Sequence, residues 1–286
     1  MTLLLGLALA AERPELDVPT VLAVSAATYV SAAVLHEGLG HGGGCLLAGG
    51  RFTAFSLAVV DCQDTGPGGA RFEAGAGVLG GTVGALATGI PLVLGGDDLG
   101  GTSRYALWLH TLVNMQQVGG YMMVGPWVGV GDWSDQGVFA GVRRPLPGKI
   151  AASATGLAIT LASVPLANAL GRPLWEGDLG RKRALTWTPW LVGSSLITFS
   201  ALANRAGPEF AVSAGVANFA GTLFLAYLPL FFNTPPFDPA APHSGVPQPV
   251  RRSRAWWIAG GLVAVGAVAV LAPGVGRFPE PHPLVP

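Results

Sequence analysis

Half of the 286 residues are hydrophobic and only 11% are charged, against about a quarter charged in soluble domains, and the mean hydropathy is +0.51. That balance excludes an ordinary soluble domain and points to long apolar runs lying in a lipid bilayer. Basic and acidic residues number 16 each, so the net charge is zero, which argues against a nucleic-acid partner or an acidic ligand.

The chain opens on MTLLLGLALA, a short apolar piece without the positive flank of a signal peptide. It is expected at the membrane interface or packed on a bundle. The first span is expected at about 18–36, continuing towards 49. Its end reads LHEGLGHGGGCLLAGG, which sets His36, Glu37 and His41 among glycines and leucines. Residues 50–73 do not form a span: GRFTAFSLAVV has strand-like composition, and a Gly/Pro turn from Thr65 to Gly69 separates it from ARFEAG. This predicts a hairpin at the membrane surface. Cys45 and Cys62 are expected as unpaired thiols; a bridge would need both in an oxidising compartment.

Next comes GAGVLGGTVGALATG, with GxxxG pairs at Gly77/Gly81 and Gly80/Gly84. Bare backbone on one helix face suits close contact with another helix. Apolar runs place the remaining spans near 74–95, 104–127, 148–170, 186–203, 210–232 and 255–273. The proline-rich stretch NTPPFDPAAPHSGVPQPV is expected to be a loop, with Asp238 and His243 solvated. An N-terminus on the cytoplasmic side would put nine of the sixteen cations there, a weak positive-inside signal. The fold expected is an all-α polytopic transmembrane helix bundle of about six to seven spans, with a small hairpin-like segment after the first. It forms a single membrane domain over 1–286, with 1–135 as the metal-site half and 136–286 as supporting helices.

An ionisable group at the bilayer centre costs roughly 2.5–3.5 kcal/mol on insertion scales, so each is a functional candidate. His36, Glu37 and His41 lie in the first span, His110 and Asn114 in the third. Asp132 and Asp135 follow the third span. Later spans hold only small polar residues such as Ser194, Ser195 and Asn218, so the chemistry is expected in the first 135 residues. On a regular helix His36 and His41 would stand about 140° apart and could not share an ion. Three arrangements remain: a π-bulge that brings i and i+5 together, a helix loosened at its glycines, or Glu37 with His41 as ligands and His36 behind them. His110 reads first as a hydrogen-bonding residue between helices, with a ligand or proton-shuttle role as the alternative.

HEGLGHGGGCLLAGGRF resembles the first motif of the site-2-protease-type intramembrane zinc metalloproteases. The hairpin-like RFTAFSLAVV and the Ala/Gly-rich AGAGVLGGTVGALA are similar to the segments that follow in that family. Asn114, Pro126 and Asp132 occur in the order of the family's Asn…Pro…Asp-Gly motif, which carries an Asp ligand. The likeness covers roughly residues 30–135. It departs from the pattern by one extra residue between the histidines, by Trp133 where the family has glycine, and by a longer Asn-to-Asp spacing. The resemblance implies a membrane-embedded zinc metallopeptidase: His36, His41 and Asp132 as metal ligands, Glu37 as general base, and Asn114 orienting substrate or polarising its carbonyl. His110 and Asp135 are possible additional ligands, and another transition metal could replace Zn2+. The partners implied are the bilayer and a membrane-protein or peptide substrate, in the multi-pass setting of a prokaryotic plasma membrane. Two alternatives stand beside it. One is a membrane metalloenzyme acting on a lipid or small molecule, or carrying a redox metal, with His110 and Cys45 reshaping the coordination. The other is a non-enzymatic ion or proton transporter.

Overall fold

The computed structural model describes residues 15–95, 98–129, 131–205, 207, 209–231 and 246–278. The N-terminal apolar piece, Asp238 and His243 lie outside them. Helix α1 (Val18–Val34) starts where Asp17 accepts a hydrogen bond from the Thr20 amide at 3.0 Å. This satisfies one of the orphan N–H groups of the first turn. The helix runs on without a break through a π-helical segment, π1 (Leu35–Gly42), into α2 (Gly43–Leu47).

Strands β1 (Arg51–Phe55) and β2 (Val60–Gln63) form an antiparallel hairpin. A later strand, β3 (Val275–Gly276), adds to the other side of β1, giving the order β2-β1-β3. The second arm is therefore VDCQ, and ARFEAG belongs to the next helix, because Pro67 suits a first helical turn, where its missing N–H is not needed. The cysteines depart from expectation as well. Cys45 and Cys62 form a disulfide that ties α2 to β2, since the hairpin folds back onto the end of the first helix. Gly50 packs close against the bridge, where a Cβ would meet Cys62 Sγ at 2.7 Å and Cys45 Sγ at 3.0 Å.

Six long helical segments follow: α3 (Pro67–Gly95), α4 (Gly101–Val128), α5 (Leu146–Trp175), α6 (Leu179–Leu202), then α7 (Glu209–Gly215) with π2 (Val216–Ala220) and α8 (Leu223–Phe231), and α9 (Arg254–Gly266) with π3 (Ala267–Leu271). The protein is an all-α helical bundle. Five segments are long and apolar enough to cross a membrane: Val18–Leu47, Pro67–Gly95, Leu146–Trp175, Phe210–Leu230 and Arg254–Leu271. Helices α4 and α6 are about 42 and 36 Å long at 1.5 Å per residue, but less apolar. Their polar side chains point inward: Arg104, Asn114, Gln116, Arg181 and Lys182 are all buried. A span wrapped by other helices needs less apolar surface of its own. On α3 the opposite holds: Leu79, Val83, Leu86, Ile90 and Val93 form an exposed apolar stripe of the kind a bilayer covers.

The core gathers Tyr29, Tyr105, Trp108, Leu112, Leu174, Trp175, Leu185 and Ile197 around α4. The Trp108 indole donates to the Ala167 carbonyl at 2.9 Å, so its N–H is not buried unsatisfied. At one end of the bundle the Arg181 guanidinium donates to the carbonyls of Leu174, Glu15 and Gln248. The hairpin, the α4–α5 loop and the α6–α7 connection lie together at the other end, where Asn204 donates to Ser56 at 2.7 Å.

Candidate metal centre

In π1 each backbone bond spans one residue more than in an α-helix, so positions five apart come to one face. The His36 and His41 Nε2 atoms lie 3.2 Å apart. Asp132, on the loop after α4, brings Oδ2 to 3.0 Å from His36 Nε2 and 3.2 Å from His41 Nε2. Of the three geometries the sequence allows, this is the π-bulge.

The triangle rests on α3. A Cβ at Gly77 would lie 2.5 Å from His36 Cε1 and 2.6 Å from His41 Nε2, and one at Gly80 would lie 2.0 Å from the Leu35 carbonyl oxygen. The glycine face read from the GxxxG pairs is thus the floor of the site. The His41 Nδ1–H donates to the Glu73 backbone carbonyl at 2.9 Å. In the neutral ring this leaves the Nε2 lone pair directed into the triangle.

Two imidazole nitrogens and a carboxylate oxygen could hold a metal ion. Ligand atoms at 2.0–2.1 Å in a tetrahedron stand about 3.3 Å apart, close to the three separations here. Burial alone would raise the Asp132 pKa, but the charge of His41 and hydrogen bonds from His36 and His41 outweigh it and hold the carboxyl well below the usual carboxylate range.

A cavity of about 50 Å³ adjoins the triangle, lined by His36, Glu37, Asp132, Tyr121, Gln117, Ser213 and Asn218 among others. It has room for a few waters. A second cavity of about 340 Å³ meets His41 and Asp132 from the other side and reaches Val60, Glu73 and Phe210. His36 and Asp132 each keep 20% of their side-chain surface exposed, so the triangle has an accessible side.

The other candidates lie elsewhere. Asp135 pairs with Lys149 at 2.7 Å and faces solvent, because it sits on the outer side of the turn that turns Asp132 inward. His110 is 2.9 Å from Ser31 Oγ and 3.1 Å from Asn114 Nδ2, bridging α1 and α4 outside the triangle. Asn114 is fully buried and donates to the His110 carbonyl at 2.8 Å. Its Oδ1 faces Gly84, and it is not among the residues lining either cavity. The site also draws on residues outside the expected set. Gln117 donates to Asn218 at 2.7 Å and Tyr121 bonds Ser213 at 2.8 Å. With Phe210, Ala214 and Ala217, the second half of the chain walls the site as well as supporting it. A signal for two of these was present: 110, 114, 117 and 121 follow helical spacing, so His110, Asn114, Gln117 and Tyr121 form one polar stripe along α4. No protein-family model matches the chain, and no curated protein or solved structure matches it significantly.

Proposed function

We propose that the protein is a membrane-embedded, metal-dependent hydrolase, an intramembrane zinc metallopeptidase of the site-2-protease type. The observation that carries this is the convergence of His36, His41 and Asp132 within 3.2 Å beside a cavity that the buried Glu37 also lines. Cys45, the thiolate that could have reshaped the donor set, is tied up in a disulfide. The remaining donors are two nitrogens and one oxygen, a set zinc accepts in hydrolytic sites. When bound, the ion would act as a Lewis acid and make a coordinated water acidic near neutral pH.

The chain's own groups supply the rest. Glu37 takes a proton on its carboxylate and returns it to the leaving amine nitrogen. Asp132 and the two histidines hold charge and geometry fixed. Strand β2 is the edge of its sheet, and Val60 lines the larger cavity with His41 and Asp132. An extended peptide can add to such an edge through backbone hydrogen bonds, which favours a peptide or membrane-protein substrate over a lipid.

The test uses purified full-length protein in detergent. Elemental analysis is expected to find about one zinc per chain. Glu37→Gln is expected to keep the metal and lose at least about 100-fold in cleavage of a quenched fluorescent peptide library. Wild-type protein without metal, or a Glu37→Gln variant that cleaves normally, would overturn the reading.

A further inference from the structure

We infer that Tyr121 is a positioning residue that sets the Asp132 carboxylate in the metal triangle through its hydroxyl. The inference rests on the metal-site part of the reading above and extends it to a residue outside the ligand set.

The two histidines ride on a continuous helix, but Asp132 sits on a loop. That loop leaves α4 through Gly129 and Gly131, both with φ in the left-handed region, 76° and 82°. A loop-borne ligand needs its backbone fixed from outside, or the carboxylate wanders and metal affinity falls. Both peptide groups of Asp132 are held. Its carbonyl accepts from the Val138 amide at 2.7 Å, and its N–H donates to the Tyr121 hydroxyl at 3.2 Å.

Tyr121 is in turn anchored. It is buried, its ring centroid lies 6.3 Å from that of His36, and its hydroxyl bonds Ser213 Oγ of α7 at 2.8 Å. The loop backbone lies directly on this hydroxyl pair: a Cβ at Gly131 would fall 1.7 Å from the Tyr121 hydroxyl and 2.6 Å from Ser213 Oγ. α4, α7 and the ligand loop thus meet at this hydroxyl. Phenylalanine at 121 would keep the ring and its packing but strand the Asp132 N–H, so the loop is free to shift.

The experiment measures zinc affinity of the full-length protein by competition with a chelating dye, together with the visible spectrum of the Co2+-substituted form. Tyr121→Phe is expected to weaken zinc binding 10- to 100-fold, the usual effect of removing a partner that orients a ligand. It is also expected to change the Co2+ spectrum, while the melting temperature of the metal-free protein stays near wild type. Ser213→Ala is expected to weaken binding in the same direction. The double variant is expected to lose no more than Tyr121→Phe alone, since the two hydroxyls act as one unit. Wild-type zinc affinity and an unchanged spectrum in Tyr121→Phe would overturn the inference while leaving the metal site intact. If Tyr121→Phe fails to fold, wild-type affinity in Ser213→Ala overturns it instead. Wild-type protein that binds neither ion removes the metal site itself, a distinct result.

Discussion

A methyl group at Gly77 would press on the rings of His36 and His41, at 2.5 and 2.6 Å, whereas one at Gly80 would strike the Leu35 carbonyl at 2.0 Å. The two clashes have different remedies. The rings can swing away, but the backbone of π1 cannot. Gly77→Ala is therefore expected to weaken zinc binding at least tenfold, measured by dye competition, while the metal-free protein melts no lower than wild type. Alanine even gains about 1 kcal/mol of helix propensity in α3. Gly80→Ala is expected to lower the melting temperature itself, as overpacking of a tight contact does. At this scale the sequence was partly legible. Three ionisable residues within an apolar run had no inexpensive structural use, so His36, Glu37 and His41 stood out. Asp132 and Asp135 could not be separated, because three loop residues leave the direction of each side chain open until Lys149 claims one of them. Glu73 was beyond reach, since it meets His41 through its backbone carbonyl at 2.9 Å and its carboxylate at 3.5 Å from a different helix, a contact that only packing reveals.

The π-helical segment explains how an apparently misspaced motif works. One extra residue between two histidines would put them on different faces of an α-helix; in π1 it places them on one. Leu39, at 52% exposure, points away from the site and is the residue to remove. Deleting it returns His36 and His41 to a separation of four, about 40° apart on an α-helix. That variant is expected to retain one zinc per chain by elemental analysis. Inserting an alanine beside Leu39 is expected to abolish binding. Loss of metal in a folded deletion variant would show that the π geometry itself, and not the shared face, is what the site requires. The hairpin was legible from its β-branched and aromatic residues, but its second arm was not: VDCQ is short, and only pairing with β1 makes it a strand.

At the scale of the whole molecule, hydropathy located the seven helical segments to within about five residues of their ends, except that α3 begins at Pro67, seven residues ahead of its expected start, and α6 begins at Leu179. There Arg181, Lys182 and Arg183 dilute the apolar signal, although Arg181 and Lys182 are buried. The triangle itself comes from the first 135 residues, while Ser213 and Asn218, from late in the chain, line the cavity beside it, because helix packing, which sequence distance does not encode, carries them there. The disulfide has a further consequence for where the site takes its ion. Cys45 lies four residues after His41, so the covalent bond and the triangle share one end of the bundle. Disulfides persist outside the reducing cytosol, and among the described residues eight cations lie towards the opposite end against seven towards this one, a small bias in the direction of the positive-inside rule. An impermeant chelator is therefore expected to strip zinc from right-side-out vesicles and not from inverted ones. Stripping from right-side-out vesicles alone would mean that the ion is loaded after insertion, from the external medium, so that its supply there sets how much of the protein is loaded.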